Sequence, residues 1–229
     1  TRALILCSPH NPVGRVWKLD ELQQLADFCL RHDLIVIADE IHHDLVYQKH
    51  TVLLNVSPEL AQRTILCTAP SKTFNLAGIQ ASNIIIPNEE LRQKYRELVV
   101  RAHAHSAHSF VAAAVIGAYD HSEAWLDQLI EYLEENMNFF CAGIEKELPQ
   151  LRVRKPEGTY LAWVDCSELG LEKDELKRFM VEKCGLALSD GAGFGEEGAR
   201  FARFNLACPR STVAECLRRL KSGIDSIVR

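Results

Sequence analysis

The sequence predicts an α/β fold in two parts: a mostly parallel-sheet lobe over residues 1–121, and a smaller α+β domain over 122–229 that includes a long connecting helix. Three observations predict it. Short apolar runs of strand character alternate with helical periodicity in the first part, polar clusters follow those runs, and strands and helices are mixed after the long helix.

The strand-like runs of the first part are 3–7, 34–38, 64–68 and 82–87. They are apolar at consecutive positions, as in strands of a sheet covered on both faces. Between the first two, 19–31 places Leu22, Leu25, Ala26 and Cys29 at helical spacing, with Asp20 and Glu21 in the first turn. This is a β-α-β unit, so its two strands are expected to be parallel. Helices are predicted over 88–101, 109–119 and 123–148. After Pro149 come strands near 151–154 and 159–164, a helix over 172–183, strands near 187–189 and 202–206, and a closing helix over 212–228. The charge-rich run 123–147 carries Leu126, Leu129, Ile130, Leu133, Met137 and Phe140, an amphipathic helix that needs no partner.

With 229 residues, 47% hydrophobic and 25% charged, the chain is neither disordered in composition nor membrane-spanning. Its longest apolar runs fall far short of the roughly 18–20 residues that cross a bilayer. Twenty-six basic against 31 acidic residues give a net charge of -5 and no basic block, which argues against nucleic acid. Eight scattered cysteines without a C-x-x-C pair read as reduced and cytoplasmic. The opening T-R-A-L-I-L-C has no initiator Met, signal or cap before an apparent strand. It is therefore expected to be the C-terminal part of a longer chain, poorly soluble alone.

Ligands collect at the C-terminal ends of strands in open parallel sheets. Here those ends read S-P-H-N-P-V-G, D-E-I-H and A-P-S-K-T-F-N. A lysine just after a buried strand, Lys72, loses its proton more readily if desolvated, as an imine-forming amine requires; taken alone it reads first as an exposed loop lysine. Asp39 leaves the sheet where a charge needs a partner, and could hold a pyridine nitrogen protonated or simply cap a helix. Asn11 can donate to a phenolic oxygen, although S-P-x-N-P is also an ordinary turn.

The segments S-P-H-N-P-V-G-R, A-D-E-I-H, P-S-K-T-F-N-L-A-G and F-A-R-F-N-L-A-C-P-R, in this order, resemble the signatures of fold-type-I pyridoxal-phosphate enzymes, the class I/II aminotransferase superfamily. The resemblance covers nearly the whole chain and implies that residues 1–121 are the C-terminal part of the cofactor-binding large domain. It implies that Lys72 carries pyridoxal 5'-phosphate covalently, Asp39 pairs with its ring nitrogen and Asn11 binds its phenolic oxygen. His42 stands where most members have a tyrosine near that oxygen, Ser71 matches a hydroxyl near the phosphate, and Arg203 matches the arginine that grips the substrate α-carboxylate. Two positions depart from the pattern. Ala69 and Gln80 replace a serine and an arginine of the phosphate site, so phosphate binding must lean on Ser71, Thr68 or groups elsewhere.

The D-E-I-H-x-D, N-P-V-G-R-V-W and A-P-S-K-T-F-N-L-A-G wording resembles in particular the cystathionine β-lyase-like C–S lyases of the MalY/PatB type. That branch implies cleavage of S-substituted cysteines to thiol, pyruvate and ammonia by a homodimeric enzyme acting on a small amino acid. An aminotransferase using the same residues is the alternative within catalysis; a non-catalytic or regulatory protein keeping the fold is the alternative outside it.

Other motifs carry less. His103, His105 and His108 do not share one helical face, and no metal site is expected. The run 191–195, G-A-G-F-G, lacks the β-α-β context of a phosphate loop and is expected to be a glycine-rich turn between small-domain strands. Residues 157–160 match a family segment facing the substrate, or an ordinary strand entry.

Overall fold

The computed structural model describes residues 1–104 and 109–227, which divide into two compact units, 1–10 with 15–128 and 11–14 with 129–229. The division falls inside the long helix rather than at its start.

In the first unit, strands β1 (Ala3–Cys7), β2 (Ile35–Asp39) and β3 (Thr64–Thr68) pair in parallel, and β4 (Asn83–Ile85) adds to β3 in the antiparallel sense. Helix α1 (Leu19–Arg31) links β1 to β2 and buries Leu22, Ala26 and Cys29, the stripe that its periodicity predicts. These residues, with Leu53 and with Leu60 of α2 (Pro58–Ala61), cover one sheet face at Leu6, Val36, Ala38 and Leu66. The opposite face is less covered than the sequence suggests. Ile5, paired with Ile37, is 72% exposed, and Ile65 beside Ile37 is half-buried. The reason is local: α1 and α2 both pack on the other face.

After β3 the chain forms the one-turn helix α3 (Pro70–Thr73). Helix α4 (Glu89–Arg101) starts where Asn88 accepts the Leu91 N–H, and α5 (Val111–His121) follows. Helix α6 (Glu123–Glu147) spans the division of the chain, and its Met137, Phe140 and Ile144 enter the core of the second unit.

The second unit has a four-stranded sheet, β5 (Arg152–Val153), β6 (Leu161–Asp165), β8 (Phe201–Asn205) and β7 (Ser189–Asp190) in spatial order, all antiparallel. Helices α7 (Lys173–Arg178) and α8 (Arg210–Asp225) flank its strands in sequence. The single helix predicted over 172–183 is an α-helix only to Arg178; Phe179–Lys183 is wound more widely as a π-turn that buries Phe179 and Met180. Phe140 of α6 packs on Phe204 of β8 with ring centroids 5.2 Å apart. Residues 191–194 form a 3-10 turn between β7 and β8, at the predicted glycine-rich run.

Candidate functional site

The first unit carries four of the predicted residues: Asp39, His42, Ser71 and Lys72. Asp39 is the last residue of β2, in register with Cys7 on one side and Cys67 on the other. Side chains alternate between sheet faces, so Asp39 shares the less covered face with Ile5 and Ile37. Its Oδ1 accepts the Ile41 N–H at 3.1 Å, closing a turn rather than capping a helix. Among the described residues its Oδ2 receives the weak Cys7 thiol contact at 4.0 Å. The Cys67 thiol is pushed up by burial and then by the Asp39 charge. This half-buried carboxylate therefore keeps an oxygen able to accept from a protonated ring nitrogen.

The polar turn after β2 sorts its side chains in two directions. Glu40, 2% exposed, points inward: its Oε2 pairs with His50 Nε2 at 2.8 Å and its Oε1 accepts the Leu53 N–H at 2.8 Å. His42 is also buried, with its carbonyl accepting from the Leu45 N–H. His43 donates from Nδ1 to the Glu40 carbonyl at 2.8 Å and from Nε2 to Asp44 Oδ1 at 3.1 Å. Carbonyl and carboxylate oxygens only accept, so both ring nitrogens carry protons and His43 is a cation. Burial lowers its pKa, but Asp44 and Glu40 outweigh that and raise it. Asp44 is correspondingly lowered: burial raises it, and His43, Thr73 and His50 outweigh burial.

Lys72 and Ser71, both half-buried, lie in α3 directly after β3, with Pro70 as the first helical residue. Phe74 N–H bonds the Pro70 carbonyl and Leu76 N–H the Ser71 carbonyl, so the segment turns back immediately after the lysine. Thr73, 1% exposed, donates to Asp44 Oδ2 at 2.8 Å. Phe74 lies edge-on to Tyr119 and stacks on Trp125 at 6.0 Å. At the departed phosphate positions, Ala69 is buried and Gln80 is exposed with a φ of 55°. Thr68, the other hydroxyl in reach of the argument, accepts from Asn83 at 3.4 Å.

The second unit carries the remaining two predicted residues, and they touch. Arg203 of β8 donates to Asn11 Oδ1 at 2.7 Å and to Ser189 Oγ at 2.9 Å, and its guanidinium lies 5.0 Å from the centroid of the Phe194 ring. Trp163 backs Phe194 edge-on and stacks on Phe201. Burial raises the Tyr160 hydroxyl, and Arg203 opposes that rise. Asn11 owes its place to Gly14, whose φ is +69° and whose carbonyl accepts from the Glu157 and Gly158 N–H groups at 2.8 and 3.0 Å. A Cβ on Gly14 would stand 2.2 Å from Pro156 Cβ.

Sequence reasoning missed Glu40, His43, Asp44, His50 and Thr73 in the first unit, and Ser189 and Phe194 in the second. Their signal was available as acids and histidines packed into one turn, and as hydroxyls abutting Lys72 and ending an apolar strand. Of the predicted histidine motif, His105 and His108 lie outside the described residues, and among the described residues no cluster of acids, histidines or cysteines could hold a metal. No described helix is long and apolar enough to cross a membrane.

Comparison with known proteins sets this arrangement among relatives. The family described as "Aminotransferase class I and II" matches residues 1–220. The chain is 41% identical over 223 residues to cystathionine beta-lyase PatB of Bacillus subtilis (strain 168), covering 96% of this chain and 58% of that protein. It is 35% identical over 229 residues to protein MalY of Escherichia coli (strain K12), covering 99% and 58%. Among solved structures, cystalysin from Treponema denticola, which contains a pyridoxal 5'-phosphate cofactor, superposes with a TM-score of 0.91 at 39% identity over 98% of this chain and 58% of that one. The chain thus spans about 58% of the length of each relative.

Proposed function

We propose that the chain, which belongs to the aminotransferase class I and II family, serves a pyridoxal-phosphate-dependent C–S β-lyase that cleaves S-substituted, cystathionine-like cysteines to thiol, pyruvate and ammonia. The observation that carries this reading is the 41% identity to a protein named cystathionine beta-lyase. The donor set supports the cofactor: a carboxylate with an uncommitted oxygen ends the parallel strand β2, and a lysine amine stands in the helical turn that follows the parallel strand β3.

When bound, pyridoxal phosphate supplies an electron sink for the pair left at the substrate α-carbon. Each residue's part follows from its chemistry. Lys72 would hold the cofactor covalently, and its free amine would be the base that takes the α-proton. Asp39 keeps the ring nitrogen protonated by accepting from it, the state in which the ring draws electrons most strongly. Asn11 donates its amide hydrogens to the phenolic oxygen while its Oδ1 holds Arg203. Arg203 grips the α-carboxylate with N–H groups not used on Asn11 and Ser189. His42 stands near the phenolic oxygen, and Ser71 contributes a hydroxyl to the phosphate. The enzyme acts as a cytoplasmic homodimer in this reading.

The family description favours one second reading, amino-group transfer between an amino acid and a 2-keto acid by the same residues. The deciding experiment gives the full-length protein cystathionine without any keto acid and measures pyruvate and free thiol. Release of both, lost in Lys72→Ala, is the expected result. Amino-group exchange with an added keto acid and no pyruvate selects the transferase. Neither activity in a protein that loads cofactor points to a non-catalytic role.

A further inference from the structure

We propose that Asp44 is a positioning residue for Lys72, acting through the Thr73 hydroxyl and held in place by His43; this rests on the cofactor reading above. The argument begins with the weakness of α3. A single helical turn is not stable by itself, and α3 has no side-chain cap at its start. A lysine on such a turn has a long flexible stem, yet an amine that must meet one carbon needs its backbone fixed to within about half an ångström. An anchor from outside the turn is therefore required.

Thr73 provides it. Its side chain is 1% exposed and its hydroxyl makes a 2.8 Å bond to Asp44 Oδ2, across 29 residues of sequence. The acceptor is itself fixed, because Asp44 Oδ1 receives the His43 Nε2–H and His43 is tied through Nδ1 to the Glu40 carbonyl. The row runs from Glu40, next to Asp39, to Thr73, next to Lys72. It thereby couples the end of β2 to the turn after β3 beyond the point where ladder bonds stop. The positive charge on protonated His43 also offsets that of Asp44, so the anchor adds little net charge beside the turn. Neither Asp44 nor His43 is assigned contact with cofactor or substrate.

The test uses the full-length apoprotein with Thr73→Val, which keeps the shape and loses the hydroxyl, and Thr73→Ser, which restores it. The readouts are the rate at which pyridoxal phosphate is captured covalently, followed by absorbance, and the pH midpoint of the bound cofactor's absorbance. A urea midpoint reports the fold. The Val variant is expected to capture cofactor about tenfold more slowly, the loss of one charge-assisted hydrogen bond at the transition state, and to shift the absorbance midpoint, while the Ser variant stays within about twofold of wild type on the same scale. Should the Val variant fail to fold, Asp44→Ala carries the comparison: it removes the acceptors of both the His43 and the Thr73 bonds, and the same slowing is expected. Wild-type capture and midpoint in a folded Val variant, or equal defects in Val and Ser, overturn the inference while the cofactor reading stands. A wild-type protein that takes up no pyridoxal phosphate, or takes it up unchanged in Lys72→Ala, overturns the cofactor reading and this inference with it.

Discussion

On the lyase reading proposed above, replacing Arg203 by lysine isolates the carboxylate grip from the charge. A guanidinium has five N–H donors; Asn11 and Ser189 take one each, leaving three, enough for a two-point hold on a carboxylate. A lysine has three donors, so keeping both neighbours leaves one, and the hold falls to a single point. One lost charge-assisted hydrogen bond is about 1.5–3 kcal/mol, which converts to a KM for cystathionine raised roughly tenfold to 150-fold. The Phe194 ring contact survives in weaker form, because an ammonium lacks the flat face that stacks on it. The assay is steady-state pyruvate release by the full-length enzyme over a range of cystathionine. Binding of the decarboxylated amine analogue, measured by the change in cofactor absorbance, is the control and should not weaken. A KM within about threefold of wild type, below the smallest loss expected for such a bond, or an equal penalty on the amine, would refute the donor-count reasoning.

Three further outcomes are expected. Asn136, fully buried, donates to the Leu206 and Cys208 carbonyls and accepts from Arg210 Nε; Asn136→Ala strands these groups and should cost about 2–4 kcal/mol, read as a lowered urea midpoint of the transition that involves the second unit. Gly14→Ala forces a Cβ against Pro156 in a left-handed backbone, about 1–2 kcal/mol for the conformation and about 1–3 kcal/mol for the crowding, again visible in urea. The His43–Asp44 pair sets a pH window. The raised His43 contributes stability that is fully present below its ordinary 6.5 and is lost as pH rises through its raised folded value. The lowered Asp44 contributes stability present above its ordinary 3.8 and lost as pH falls through its lowered value. His43→Asn should flatten the alkaline limb of the urea midpoint against pH, and an unchanged limb would count against the pairing.

The β-α-β start was legible because hydrophobic spacing reports burial directly: helix α1 and strands β1 and β3 have the predicted bounds. The short strands of the second unit were less legible. β5 and β7 are two residues each, too short for alternation to register. The π-turn at Phe179–Lys183 keeps a helical pattern in sequence while changing its hydrogen bonding, so periodicity cannot separate the two. At the site, strand ends pointed to Asn11, Asp39 and Lys72, whereas Arg203 was singled out by resemblance alone and its contact with Asn11, between residues 192 apart, was not foreseen. Thr73 and Asp44 escaped because a buried hydroxyl and its acceptor 29 residues away leave no periodic trace.

The turn after β2 shows how one short segment can serve chemistry and architecture together. Asp39 closes the strand on the less covered sheet face, and its partner-poor oxygen is useful only if something outside the protein core needs a carboxylate. Glu40, one residue on, faces the other way and is fully engaged by His50 and the Leu53 amide. An acid buried with two strong donors is costly to disturb and resists repositioning. Glu40 therefore fixes the path of the loop from which His43 and Asp44 reach the Thr73 turn. The alternation of side-chain direction that makes a strand amphipathic continues past the strand's end, and there it separates a lightly engaged acid from a fully engaged one. This division explains why adjacent acids of identical charge carry different duties, and why the motif reads as D-E followed by histidines rather than as a run of interchangeable polar residues.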